Sequence, residues 1–173
     1  MKQFTLDLYE NIQRPVAFLS DWHNFDAMLD TGALFPVWVA EEQTLEKLGA
    51  ELVKDCVKFG GFGGEAVGKL YRLPFFKIGE LIFPGLPIIS CRVNAPCQMI
   101  LSASMFSGLR YEIDDENHKL NVTIPDTQSF VRNLTIWDEN GHLQVLCVSG
   151  DEQEIFALNS KKISRDILDI LFL

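Results

Sequence analysis

The sequence predicts a mainly β protein: a closed β-barrel with one or two short helices, followed by a C-terminal extension of hairpin plus helix. Three observations carry that expectation. Short segments that alternate or run apolar, bounded by Gly, Pro, Asn and Asp, recur through the first 124 residues. Helical spacing of apolar residues stands out in two places, 41–49 and 163–171. The length of 173 residues, 47% hydrophobic and 23% charged, suits one compact domain with some chain to spare, and two independent domains would be cramped.

Taken in order, "FTLDLYE" (4–10), "PVAFLS" (15–20), "NFDAMLD" (24–30) and "LFPVWV" (34–39) have strand character. "EEQTLEKLG" then opens on acids, places Leu45 and Leu48 on one face and ends at Gly49, which predicts a short helix. Further strands are expected at 51–59, 65–73, 75–83, 86–93, 109–114 and 118–124. From Pro125 the pattern changes. "VRNLTIWDENGHLQVLCV" holds two β-prone runs around Asn140 and Gly141, a hairpin signal, and "ISRDILDILFL" spaces Ile163, Ile167, Ile170 and Leu171 as a helix. The expected division is therefore a domain over 1–125 and an extension over 126–173, packed on the barrel or on a second chain.

Charge narrows the partners. Fifteen basic against 24 acidic residues give a net charge of -9, with no Lys/Arg cluster, so nucleic acid is not expected. The amino terminus lacks an apolar core of signal-peptide length and no apolar run reaches a membrane span, so a soluble, cytoplasmic protein is expected. Cys56, Cys91, Cys97 and Cys147 show no CxxC spacing and read as reduced thiols. His23, His118 and His142 lie far apart, so no metal site is expected. There is no G-x-S-x-G elbow and no cysteine in a nucleophile context. The Gly-rich "GGFGGEAVG" (60–68) lacks the Lys-Ser/Thr of a phosphate loop. Its flanks have strand character, so it predicts a β-hairpin with a mobile tip.

One carboxylate remains to be explained. "FDAMLDTGALFPVW" (25–38) runs apolar through Met28 and Leu29 to Asp30, then turns through Thr31, Gly32 and Ala33. A Gly-rich hairpin comes some thirty residues later, and "QMILSASMFSGLRYEID" (98–114) closes the unit. In order and spacing these features resemble the retropepsin-like aspartic proteases, over roughly residues 12–124. The resemblance implies a small β-barrel, a flap closing over substrate, and Asp30 as the catalytic carboxylate. It implies Thr31 as a hydrogen-bonding brace, Gly32 as the tight turn, Ala33 as the floor of the cleft, and Gly61, Phe62 and Gly63 as the flap tip over a peptide or protein substrate. It implies no cofactor.

Asp-Thr-Gly occurs once; the look-alike "DTQ" at 126–128 lacks the glycine and the apolar lead-in. Two carboxylates are needed for the family's chemistry, one holding a proton while the other accepts one from water. The second must come from another copy, so the resemblance implies a homodimer with both Asp30 residues at the twofold axis. The chain departs from the family where Ser102 and Ala103 stand in place of a usual glycine, often with Arg after it, and where Leu34 replaces a common acid. Ser102 and the extra 48 residues of the extension motivate the other expectation, a non-catalytic peptide-binding or assembly module on the same fold.

Overall fold

The computed structural model describes residues 2–10, 14–20, 22–33, 35–61, 64–106 and 108–125, and the backbone of two further strands at 131–138 and 141–149. Chain order is β1 (Lys2–Asp7), β2 (Val16–Leu19), β3 (Phe25–Asp30), β4 (Val37–Trp38), α1 (Glu42–Lys47), β5 (Glu51–Gly61), β6 (Gly64–Ile78) and β7 (Leu81–Ser90). Next come β8 (Met99–Ser102), a 3-10 turn (Ala103–Phe106), β9 (Arg110–Asp114), β10 (Lys119–Ile124), β11 (Val131–Asp138) and β12 (Gly141–Ser149). The protein is mainly β.

The described strands form two sheets. One is three-stranded, in the order β1-β10-β9, and the other nine-stranded, along the path β11-β12-β7-β4-β8-β3-β2 with the β5–β6 hairpin joined through β7. No ladder among the described residues closes either sheet on itself, where the sequence predicts a closed barrel. The physical reason lies at the first strand. β1 pairs along its whole length with β10, from Lys2↔Ile124 to Asp7↔Lys119, and among the described residues the link to the larger sheet's ladder is the isolated bridge Leu8↔Ala17 just past it.

Between 64 and 90 the sequence predicts three strands and the structure holds two longer ones. Pro74 and Pro84 fall between the expected strands, yet these two and Pro87 each sit where their strand has a single ladder partner. β5 begins its pairing with β6 at Glu51↔Arg72, leaving Pro74 beyond it. β7 pairs with β12 at Leu81 and Ile82 and with β4 at Ile89 and Ser90, so Pro84 and Pro87 fall in the open window between. A proline costs no ladder bond on an open side. The turn falls instead at Gly79, whose φ of +54° favours glycine.

α1 is shorter than its predicted span. Gly49 lies just past it at φ +84°, its N–H donating to the Glu46 carbonyl at 2.9 Å, so the glycine ends the helix as predicted. β11 and β12 pair antiparallel from Val131↔Val148 to Asp138↔Gly141. The helix predicted at 163–173 lies outside the described residues.

The core sits between the sheets. Trp38, Phe76, Phe83, Leu19, Leu45 and Leu101 are fully buried, with Phe25 edge-on to Trp38 at 5.2 Å and Trp22 edge-on to Phe76 at 4.6 Å. Period-2 alternation explains β10, where Leu120, Val122 and Ile124 point inward and their neighbours outward. β3 is different: Ala27, Met28 and Leu29 are all buried, because the strand is covered on both faces until it reaches Asp30.

Candidate active site

Asp30 ends β3 at the point where the strand emerges from the core. β3 runs parallel to β8 with Asp30 opposite Ser102, and Leu29, Leu101 and Met99 fix the pair from below. The three preceding residues of β3 are buried while Asp30 is half-exposed and Thr31 and Gly32 are exposed. A carboxylate is thus carried to the surface on a strand that cannot shift without unpacking the core.

The turn is held by its own backbone. Gly32 N–H donates to Asp30 Oδ1 at 2.9 Å, and Ala33 N–H donates to the Asp30 carbonyl at 3.2 Å. The carboxylate is oriented by the Gly32 amide. The sequence assigns Gly32 to a tight turn, but it is not among the glycines with positive φ. Its use is spatial: a Cβ there would stand 3.3 Å from Asp30 Oδ1 and crowd the acid.

Ser102 is fully buried and faces the same side of the ladder as Asp30. Behind the site, Asp26 N–H donates to Gln98 Oε1 at 2.7 Å and the Tyr9 hydroxyl donates to Asp26 Oδ1 at 2.6 Å. The hydrogen bond to Asp26 holds the Tyr9 hydroxyl's pKa above its ordinary value. Sequence reasoning missed these supports because each joins residues remote in the chain. Burial pushes the Cys91 and Cys97 thiols up, away from nucleophile character. Among the described residues no three His, Cys, Asp or Glu side chains converge as a metal site, and no helix is long and apolar enough to cross a membrane.

Of the predicted site, Asp30, Thr31, Gly32 and Ala33 form one turn. Gly61 ends β5, paired with Gly64 across the hairpin tip; Phe62, Gly63 and Leu34 lie outside the described residues. Phe35 connects the two parts, packing both on the main core and on the cluster of Val57, Leu70 and Ile89 at the hairpin's root.

A cavity of about 480 Å³ opens elsewhere, against α1 and the root of the hairpin. Glu42, Asp55, Lys69, Ser90, Cys91 and Arg92 line it, and Asp30 does not. There the Tyr71 hydroxyl donates to Glu42 and, at 3.2 Å, to Glu46. Lys69 Nζ donates to Glu42 Oε1 at 2.9 Å. Those two donors, Tyr71 first, hold Glu42 below the usual carboxylate range, while burial and then Glu42 push Tyr71 far up. Lys69 and Tyr71 two apart on a strand was a legible same-face signal; their partner on α1 was not.

No family model matches the chain, and no curated protein sequence matches it. Among solved structures, its fold is similar to the crystal structure of a retropepsin-like aspartic protease from Rickettsia conorii. The identity is 15%, over 70% of this chain and 89% of that one, with a TM-score of 0.47.

Proposed function

We propose that the chain is an aspartic endopeptidase of retropepsin-like type, active as a homodimer, with Asp30 of each subunit in the catalytic pair. The observation that carries the proposal is the Asp30 turn: a half-exposed carboxylate at the end of a buried strand, held by the Gly32 amide. Brought together at a twofold axis, two such carboxylates repel and share one proton. The ionised member takes a proton from water as the water attacks the peptide carbonyl carbon. The protonated member hydrogen-bonds the carbonyl oxygen and gives it the proton; the proton taken from water then passes to the peptide nitrogen as the C–N bond breaks, and a hydroxyl of the diol returns its proton to the ionised carboxylate.

Water and peptide need room beside Oδ1, and Gly32 leaves it. Substrate would lie extended between this turn and the β5–β6 hairpin, adding its main chain to open strand edges. Thr31 braces the turn toward the partner. No cofactor takes part.

Ser102 favours one other reading, a peptide-binding module without turnover, because its side chain occupies the buried position beside Asp30. One experiment separates them. A broad peptide library incubated at mildly acid pH is expected to yield cuts that pepstatin-like inhibitors block. Binding of peptide without any cut would replace the enzyme by the module.

A further inference from the structure

The β5–β6 hairpin carries a hinge of its own. Its role here rests on the proposal that it closes over substrate, although its geometry does not. Three marks fall on one line across it. Among the described residues β7 accompanies β6 only as far as Lys69↔Ser90, so from Gly68 to the tip β6 has β5 alone. On β5 the register shifts between Leu52, Lys54 and Val57, which leaves Asp55 and Cys56 out of the ladder at the same level. At Gly68 a Cβ would stand 2.6 Å from the Ser90 carbonyl oxygen and 2.8 Å from Ile89 Cγ2, so the crossing needs glycine.

One cation spans that line. Lys69 Nζ reaches Glu42 on α1 at 2.9 Å and Asp55 on the bulge at 3.8 Å. Glu42 is in turn tied to the body by the hydroxyl of buried Tyr71. We infer that the line through Asp55, Cys56, Gly68 and Lys69 is the hinge of the hairpin, and that the Lys69 ammonium is its latch, joining both hairpin strands to α1. Side-chain exposures of 40% for Lys69, 34% for Glu42 and 79% for Asp55 make the latch weak enough to open. The other charges around it are Glu46 on α1 and the Glu41–Arg92 pair, 3.8 Å apart, at the cavity's rim.

Amide hydrogen exchange on the full chain tests this without any substrate. In Lys69→Met and in Glu42→Gln, exchange at 56–61 and 64–68 is expected to rise about two- to five-fold, while 73–78 and 81–90 stay at wild-type rates. The double variant should exchange no faster than Lys69→Met, since that change already removes the Glu42 contact. Asp55→Asn should give a smaller rise in the same amides, and with Glu42→Gln it carries the test if Lys69→Met does not fold. Unchanged exchange at the hairpin, acceleration spread over the whole chain, or additive effects in the double variant would overturn the latch. Absence of peptide cleavage would remove the protease and leave the latch standing; unchanged exchange would do the reverse.

Discussion

The Asp30 turn and the β5–β6 hairpin are built by opposite means. Asp30 stands on a strand whose previous three residues are buried and which is flanked by β2 and β8. Among the described residues no third strand pairs with the hairpin past Lys69: its root packs through Val57 and Phe59 on Ile89, while Val67 is 58% exposed and the ladder on β5 is interrupted. The contrast assigns rigidity to the carboxylate and freedom to the element that would cover it, a division that suits chemistry needing fixed charges and a removable lid.

Core substitutions should show the contrast most strongly. Leu29→Ala, one residue before Asp30, is expected to cost about 3 kcal/mol of stability by leaving a cavity under the turn. Val67→Ala, on the hairpin, should stay within about 0.5 kcal/mol of wild type. Urea midpoints at constant slope measure both; equal losses would mean that the hairpin is as tightly packed as the strand.

Gly79→Ala comes next, at about 2 kcal/mol. Its φ is left-handed, and a Cβ would meet the Phe4 ring at 2.1 Å, forcing β1 away from the β6–β7 turn. A near-neutral result would show that β1 can move, weakening the link between the two sheets.

Gly32→Ala sharpens the comparison from the other side. Its backbone is not left-handed and the nearest contact is Asp30 Oδ1, so the loss of stability should be below about 1 kcal/mol. Peptide cleavage should fall far more than stability does. Parallel losses would make Gly32 a folding residue.

The smallest effect is in the pH dependence. Glu42 is held below its ordinary value of 4.5 by Tyr71 and Lys69. Its folded-state pKa is depressed, so its contribution is present above the unfolded value and lost as pH falls through the folded one. Stability should therefore decline below about pH 4.5, less steeply in Glu42→Gln. Asp114, lowered by its hydrogen bonds from Asn117, acts in the same direction and remains in that variant. An identical acid slope in Glu42→Gln would remove Glu42 from the balance.

What the sequence made legible was local. The run Met28–Leu29–Asp30–Thr31–Gly32–Ala33 carries its strand, exposed acid and turn within six residues, and the glycines near 60–64 mark the hairpin tip. Pro74 and Pro84 misled, because whether a proline breaks a strand depends on a neighbour that the sequence does not name. Sheet closure was misjudged for a similar reason, since the choice of β10 as partner for β1 is made over more than a hundred residues. The latch was beyond reach: Glu42, Asp55 and Lys69 come from three elements, and a register shift on β5 aligns them.

The central claim is that Asp30 is the catalytic acid and base of a dimer. Cleavage of a susceptible peptide by purified wild type and Asp30→Asn, with the oligomeric state of both tracked by light scattering, tests it directly. The account predicts that the asparagine variant stays folded and dimeric and loses cleavage by at least about a hundred-fold, while the wild-type rate traces a bell against pH whose two limbs belong to the carboxylate pair. Cleavage by Asp30→Asn at the wild-type rate, with contaminating protease excluded, or a monomer that cleaves at full rate, would contradict it.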